Sequence, residues 1–306
     1  MPAGENAIAE AARLILDGQP VAVPTETVYG LAADATDPGA VALIYQAKGR
    51  PSFNPLIVHV RDLAQAERIG RFGAPARALA AAFWPGPLTL VVPLRPDSGI
   101  APLVTAGLAT IALRCPAHPV MRALLQACGR PLAAPSANPS GAISATSAGH
   151  VGAGLGGRIP LILDGGPTAV GVESTIVGLD SQGIRLLRPG PVDFAAIKAV
   201  AGLAESAGPG GIEAPGQMAS HYAPSKPLRL NAMAAGTDEW LIGFGAAGGD
   251  DNLSESGDLG EAAANLFEAL HRADAQARPR IAVAPIPQAG IGLAINDRLA
   301  RASVSR

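Results

Sequence analysis

The chain has 306 residues, 48% of them hydrophobic and 16% charged, a composition that argues against disorder and fits a packed globular protein. Its 23 basic and 25 acidic residues give a net charge of −2, which argues against an extended basic surface for nucleic acid. Two cysteines exclude a disulfide framework. Because no apolar stretch approaches ~18 residues and no signal-peptide pattern is visible, we expect a cytoplasmic protein without membrane contact.

Strand-like and helix-like segments alternate through the first two-thirds of the chain, which predicts an α/β domain. A helix over residues 7–17 precedes a short buried strand over 21–23. A second helix begins at Asp37, a capping residue followed by proline, and ends at Gly49. Further strands are predicted over residues 56–60, 88–94, 110–114, 132–134, 159–163, 175–179 and 184–187, and a further helix over 121–128.

Turn-forming residues interrupt this alternation between positions 206 and 226. Residues 208–211 read Gly-Pro-Gly-Gly, and Pro215-Gly216 follows, which predicts a linker. Beyond it, strands over 228–230, 240–243 and 281–284 surround a helix over 259–271. Since 306 residues exceed one comfortable core, we predict a first domain over 1–205, a linker over 206–226 and a small α/β domain over 227–306.

Lys48 and Arg50 flank a predicted helix end in the tripeptide Lys48-Gly49-Arg50. The chain has three lysines against 20 arginines, and Lys48 is the only lysine before position 198. A compact ammonium beside a planar guanidinium suits a phosphate or carboxylate ligand. The alternative is a solvated helix C-terminus, where the helix dipole favours basic residues. The tripeptide alone leaves both open.

The segment Pro-Thr-Glu-Thr-Val-Tyr-Gly-Leu over residues 24–31 directly follows a buried strand. Ligand sites in α/β proteins commonly lie at such strand ends, and two hydroxyls with a carboxylate could bind a small polar molecule. The alternative is a helix N-terminus with Thr25 or Thr27 as its cap and Glu26 in the first turn. The local pattern slightly favours the helix.

A second polar segment, Pro-Ser-Ala-Asn-Pro-Ser-Gly over residues 135–141, also follows an apolar strand. Its prolines stiffen the backbone, so that Ser136 and Asn138 would be preorganised for binding. The alternative is an ordinary Asx or Ser turn. The density of polar groups after the strand favours a binding site.

Two arginines and a histidine stand near strand ends. Arg114 ends the apolar strand over 110–114 and needs an anionic partner, either a structural carboxylate or a ligand carboxylate. Arg188 begins the stiff turn Arg-Pro-Gly. His59 lies inside a strand, where a structural histidine is the more common interpretation. No Walker A, HExxH or GxSxG motif is found.

Taken together, these segments resemble the YrdC-like superfamily, and among its members the two-domain threonylcarbamoyl-AMP synthases. The matching segments, in chain order, are residues 24–31, 48–51, 54–56 with His59, 84–89, Arg114, 136–141, 173–175, 188–190 and 220–224. Residues 256–258 and 294–298 resemble the accessory domain of this family. The fold implied by the resemblance is a twisted mixed sheet with helices, followed by a smaller Rossmann-like α/β domain.

The resemblance implies that ATP, L-threonine and bicarbonate form threonylcarbamoyl-AMP and pyrophosphate, with Mg²⁺ arriving on ATP. The product would pass to a tRNA-modifying transferase complex, without stable nucleic-acid binding by this chain. By family match, the residues for ATP are Lys48, Arg50, Asn54, Thr110, Ser136, Ser144, Arg188 and Tyr222. Those around L-threonine are Thr27, His59, Arg114, the backbone of Ala134, and Ser174. The residues expected to carry catalysis are Lys48, Arg50 and Arg114.

Tyr222 lies in the predicted linker, so we expect the linker to fold over the site and exclude water from a hydrolysable adenylate. Three other functions are weighed against the synthase. One is a carbamoyl-adenylate-forming enzyme that does not use threonine, against which Arg114 and Ser174 argue. The others are an RNA-binding module, weakened by the net charge of −2, and a regulator that binds nucleotide without turnover.

Overall fold

The computed structural model describes residues 1–180, 182–206, 213–217 and 221–304. In these ranges the helices are α1 (Glu5–Leu16), α2 (Pro38–Lys48), α3 (Leu63–Ile69), α4 (Ala74–Phe83), α5 (Pro102–Thr105), α6 (Pro119–Cys128), α7 (Ala148–Leu155), α8 (Phe194–Ala201), α9 (Leu259–Ala275) and α10 (Gly292–Ala302). The strands are β1 (Val21–Val23), β2 (Gly30–Asp34), β3 (Ile57–His59), β4 (Leu88–Pro93), β5 (Thr110–Arg114), β6 (Leu132–Ala133), β7 (Leu161–Ile162), β8 (Thr175–Asp180), β9 (Gly183–Arg188), β10 (Leu228–Arg229), β11 (Glu239–Gly243), β12 (Asp251–Asn252) and β13 (Arg280–Val283). None of these helices is both long and apolar enough to cross a membrane.

The larger sheet has nine strands in the order β7-β1-β2-β6-β3-β5-β4-β8-β9 and mixes parallel with antiparallel pairs. Strand β3 runs parallel to β5, which places His59 directly opposite Arg114. Strand β4 runs antiparallel to β5 on its other side and parallel to β8. The α/β domain that the sequence pattern predicted, and the mixed sheet that the family resemblance implied, are therefore confirmed.

The two faces of this sheet have different roles. Successive residues of a strand point to opposite faces, and Val58 and Leu113 point into the main core beneath helices α2, α3 and α4. Ile57, His59 and Arg114 point to the opposite face, and all three are buried as well. Because both faces are covered, these central strands are short apolar runs without an exposed polar face. The second face carries the polar groups described below.

The smaller sheet has four parallel strands in the order β10-β13-β11-β12 and packs against α9 and α10. Phe267, Ile281 and Leu299 lie in its apolar core. Val28 and Val172 of the first domain belong to the same apolar cluster. The predicted second α/β domain is therefore confirmed, and it packs directly against segments near the predicted site.

Helix α2 shows how local signals set an element. The Asp37 side chain accepts hydrogen bonds from two backbone N–H groups of the first turn, and Gly49 ends the helix with a left-handed φ of 60°. The predicted limits of this helix are confirmed. In contrast, strands β2 and β12 and helices α3, α4, α5, α7, α8 and α10 were not predicted.

The alternative that Thr25 or Thr27 caps a helix is wrong, because the chain continues from this segment into strand β2. The Thr25 hydroxyl accepts hydrogen bonds from the backbone N–H groups of Thr27 and Val28, at 3.2 Å each. Threonine here closes a tight turn between the antiparallel strands β1 and β2.

The predicted domain limits stay a prediction. Helix α8 packs on the first domain through Ile197, which belongs to the main core. Residues 207–212 and 218–220 of the predicted linker lie outside the described residues. The described linker residues 213–217 and 221–226 lie between the two domains in sequence, and Ala214 is buried against Ile57 on the second face of the large sheet.

Candidate active site

A narrow cavity lies on the second face of the large sheet, where the linker covers it. Nine of the predicted site residues line it: Thr27, Arg50, His59, Arg114, Ala134, Ser136, Ser174, Arg188 and Tyr222. The cavity has a volume of about 50 Å³, which is room for a few water molecules. Pro215 and Gly216 of the linker form part of its wall. The described linker residues thus lie over the predicted site, and this arrangement is called the closed state below.

Lys48 is buried behind this cavity. Its Nζ donates to the backbone carbonyl oxygens of Ser136, at 2.5 Å, and of Asn138. Burial and the neighbouring Arg50 charge hold the pKa of Lys48 well below its usual range. The alternative of a solvated helix end is therefore wrong, since Lys48 is 3% exposed. In this closed state Lys48 fixes the polar turn over residues 135–141.

That turn divides its polar side chains between two roles. Ser136 faces the cavity, whereas the Asn138 amide donates to the carbonyl oxygens of Pro139 and Ala142 within the turn. The backbone N–H of Ser140 donates to the Lys48 carbonyl oxygen at 2.8 Å. The turn is therefore anchored through both the main chain and the side chain of Lys48.

Arg188 is buried and Arg50 is half-buried, and both line the cavity. Arg50 donates to the carbonyl oxygens of Asn54 and Pro55, and Arg188 donates to the carbonyl and hydroxyl oxygens of Ser174. Among the described residues, neither forms an ion pair with a carboxylate. Burial lowers the pKa of Arg50 to about 10 and also lowers the pKa of Arg188. Two cations that form no carboxylate ion pair among the described residues favour an anionic ligand.

Arg114 does have a carboxylate partner in the protein. It donates to Glu26 Oε1 at 2.6 Å, to the Thr27 hydroxyl at 2.9 Å and to the Gly86 carbonyl oxygen at 3.2 Å. Burial raises the pKa of Glu26, but the charge and hydrogen bond of Arg114 outweigh this and leave the pKa below its ordinary value. The structural carboxylate that the sequence left open is thus Glu26, and a ligand carboxylate would have to share Arg114 with it.

Several buried polar atoms around the cavity have no hydrogen-bond partner among the described residues. They are both ring nitrogens of His59, Nδ1 of His221, the hydroxyl of Tyr222 and Oε2 of Glu26. Burial, reinforced by the Arg114 charge, lowers the pKa of His59 to about 3, so its ring is neutral at pH 7. An unpaired buried polar group costs about 1–3 kcal/mol, so a ligand that paired with these atoms would recover that cost.

Four predicted residues do not line the cavity. Ser144 lies behind it and donates to Glu173 Oε1 at 2.5 Å. Asn54 is buried, and its carbonyl oxygen accepts from Arg50 and from the Tyr45 hydroxyl. Thr110 begins strand β5, roughly 13 Å along the strand from Arg114 at ~3.3 Å per residue. Lys48 is the fourth of these residues, so the structure does not bring these four to the surface of the cavity.

Glu173 and His221 line the cavity but were not assigned a role from the sequence. Glu173 is next to Ser174 and His221 is next to Tyr222, both of which were assigned. Their place in the same motifs could therefore have identified them as site residues. Tyr222 itself has a left-handed backbone, with φ of 63°, a strained conformation for a residue with a side chain. Its ring packs against Phe267 of the second domain and lies near His221.

Comparisons with known proteins show to which family the chain belongs. A family model described as "Telomere recombination" (Sua5_yciO_yrdC) matches residues 13–190, and one described as "Threonylcarbamoyl-AMP synthase, C-terminal domain" matches residues 192–304. The threonylcarbamoyl-AMP synthase of Bacillus subtilis is 41% identical, covering 98% of this chain and 93% of the relative. That of Pyrococcus abyssi is 39% identical, covering 96% and 93%.

A solved structure, described as that of P. abyssi Sua5 complexed with L-threonine, is similar over nearly the whole chain. It aligns with a TM-score of 0.89 at 38% identity, covering 97% of this chain and 94% of the other. Both domains of this chain are therefore matched in sequence and in fold. The chain belongs to the two-domain threonylcarbamoyl-AMP synthases, which are nucleotidyltransferases.

Proposed function

We propose that the cavity binds ATP and L-threonine at its two ends and joins them through bicarbonate into threonylcarbamoyl-AMP, releasing pyrophosphate. One observation carries this assignment of sites. The half-buried Arg50 and the buried Arg188 line the cavity without a carboxylate ion pair among the described residues, whereas Arg114 is paired with Glu26 and Thr27. The two arginines without a carboxylate partner suit the triphosphate of ATP. Arg114, beside a hydroxyl and a carboxylate, suits an amino acid.

The triphosphate is proposed to bind Arg50 and Arg188, whose desolvated charges it would neutralise. The proposed ATP site is completed by Lys48, Asn54, Thr110, Ser136, Ser144 and Tyr222. Lys48 now donates to two carbonyl oxygens of the polar turn, so it acts here by holding Ser136 in place. A shift of that turn would present its ammonium to a phosphate.

L-threonine is proposed to place its carboxylate on Arg114, beside the hydroxyls of Thr27 and Ser174 and the backbone of Ala134. The two ring nitrogens of His59, both buried without a partner among the described residues, lie in the same part of the cavity. With its pKa near 3, His59 is neutral and can accept or donate one hydrogen bond without adding charge.

The chemistry asks for positioning and for neutralisation of charge. The amine of threonine becomes a carbamate with bicarbonate, with loss of water, and a carbamate oxygen attacks the α-phosphorus as pyrophosphate leaves. Such a transfer needs fixed cations on the phosphate oxygens more than a protein nucleophile. Mg²⁺ is proposed to enter with ATP, held by phosphate oxygens and water. Glu173, a carboxylate at the cavity wall, is already bound to Ser144 and Arg298.

The linker is proposed to open and close over this reaction. The closed cavity of about 50 Å³ cannot admit ATP, so Pro215, Gly216 and Tyr222 must move away before the nucleotide enters. Tyr222 is 1% exposed in the closed state. Its return would shield the adenylate from hydrolysis. We propose that the product then passes to a tRNA-modifying transferase, without stable binding of RNA by this chain.

The test is separation of reaction products by anion-exchange chromatography, with protein, Mg-ATP and bicarbonate, with and without L-threonine. We expect a new adenylate and pyrophosphate that require both threonine and bicarbonate. An Arg50→Gln variant should abolish the product peak, while Arg77→Gln, at an exposed arginine paired with Glu67, should not change it. Intact ATP in every reaction with folded protein would contradict the proposal, and an adenylate formed without threonine would favour the carbamoyl-adenylate alternative.

A further inference from the structure

Arg298 of helix α10, in the second domain, is the largest fully buried side chain among the described residues, at 0% exposure. Burying a guanidinium costs several kcal/mol unless its hydrogen bonds are satisfied. Arg298 does not line the cavity, and the family comparison does not explain why it is buried. Apart from Asp297 of the same helix, its partners lie in the first domain and in the linker.

The Arg298 guanidinium joins two segments of the first domain. Nε donates to Glu173 Oε2 at 3.0 Å, and Nη2 donates to the Glu173 carbonyl oxygen at 3.3 Å. Nη1 donates to the Pro189 carbonyl oxygen at 2.7 Å and to Asp297 Oδ2 at 2.9 Å. Glu173 directly precedes Ser174, which is proposed to bind L-threonine. Pro189 directly follows Arg188, which is proposed to bind the triphosphate.

The same guanidinium also meets the linker. Its carbon lies 5.5 Å from the centre of the Tyr222 ring, which is cation–π geometry. One turn further along α10, the Arg301 carbonyl oxygen accepts from the His221 backbone N–H at 3.3 Å. Three separate segments that wall the cavity are therefore held by one helix of the other domain.

The contact between Arg298 and Glu173 affects the charge of the site, because Glu173 lies near Arg188. Glu173 lies close enough to feel the Arg188 charge, but Arg298 and Ser144 occupy both of its carboxylate oxygens. Without Arg298, the Glu173 carboxylate would be left buried beside Arg188, with which it would pair. That pairing would neutralise the cation that the phosphates require.

We propose that Arg298 is a positioning residue through which the second domain assembles the active site: it keeps Glu173 away from Arg188 and aligns the Pro189 turn with Tyr222. This inference rests on the proposed triphosphate site. It assigns the second domain a part in positioning the active-site residues, although none of its residues 227–304 lines the closed cavity. Arg298 acts through its neighbours and does not touch substrate.

The test is a set of variants of the full chain whose synthase kinetics are measured at varied ATP. Arg298→Met should lower kcat/KM for ATP by about 10- to 100-fold, the usual cost of a misplaced site, mainly through KM. Adding Glu173→Gln should recover a large part of that loss, since it removes the carboxylate that captures Arg188. Arg280→Met, at an exposed arginine of the same domain, should match the wild type.

Each outcome decides. Absence of adenylate with the wild type would overturn the proposed function itself. With an active wild type, an Arg298→Met variant within twofold of Arg280→Met would overturn the inference, as would a double variant no better than Arg298→Met. If Arg298→Met does not fold, Arg298→Gln replaces it, because its amide keeps a hydrogen-bond donor but carries no charge to hold Glu173. Wild-type kinetics in Arg298→Gln would equally overturn the inference.

Discussion

Replacement of Arg114 by methionine separates its structural role from its proposed role with threonine. Arg114 is buried on strand β5, with a side chain 4% exposed, and the side chain of Glu26 is 12% exposed. Methionine retains the apolar stem but leaves Glu26 without its cation. Addition of Glu26→Gln removes that unpaired charge without restoring a cation.

The magnitude follows from the burial of the pair. Removing one partner of a buried ion pair costs about 3–5 kcal/mol, because the other charge stays buried alone. We therefore expect Arg114→Met to lower the free energy of unfolding by about that amount. The double variant should regain about 1–3 kcal/mol, the usual cost of a buried group without its partner. Loss of the charged hydrogen bonds to the threonine carboxylate should raise KM for threonine about 10- to 100-fold in both variants.

Urea denaturation would give the free energies of unfolding, and threonine-dependent release of pyrophosphate would give KM. The account predicts that stability recovers in the double variant and that threonine affinity does not. Recovery of both would show that Arg114 acts only by keeping the fold, and the reasoning about threonine would be refuted. A loss below about 1 kcal/mol in Arg114→Met would refute the energetic reasoning, since such a value is typical of exposed pairs.

Three further predictions concern other parts of the site. Lys48→Met should lower kcat/KM for ATP at least about 10-fold, because the polar turn over 135–141 loses its anchor, whereas Lys198→Met, at an exposed lysine, should leave it unchanged; equal kinetics would contradict this. Tyr222→Ala should leave the far-UV circular dichroism unchanged but shorten the lifetime of the adenylate, followed by chromatography; an unchanged lifetime would contradict closure by the linker. The folded pKa of His59, about 3, lies below its ordinary 6.5, so the unfolded chain binds more protons and stability falls as pH drops through that window. Between pH 7.5 and 5 the loss through His59 should be about 2 kcal/mol, and a His59→Asn variant that showed the same pH dependence in urea denaturation would contradict it.

Local sequence signals predicted those elements whose ends are set by their own residues. Asp37 and Gly49 bound helix α2 because capping and the left-handed turn depend on a few neighbouring atoms. The antiparallel strand β2 was not predicted, because its Leu-Ala-Ala segment does not alternate between apolar and polar residues. The strand is defined by its pairing with β1 and β6. Pairing between distant strands cannot be read from a local window.

The sequence predicted which residues belong to the candidate site better than it predicted how they are arranged. The motifs identified Arg50, Arg114 and Arg188, and all three line one cavity. Glu26 reaches Arg114 because the chain turns between β1 and β2. The local sequence pattern favoured a helix start at this place, so it did not predict the pairing. Arg298 lies on the apolar face of α10 with Ile295 and Leu299. Its partners lie in the other domain, so its role could not be predicted from its own helix.

The most direct test of the central claim is a crystal structure of the protein with L-threonine and a non-hydrolysable ATP analogue. We predict that the linker is lifted from the closed cavity, that the phosphates bind Arg50 and Arg188, and that the threonine carboxylate binds Arg114. An analogue bound elsewhere, with both arginines still donating to the carbonyl oxygens of Asn54 and Ser174, would contradict the account.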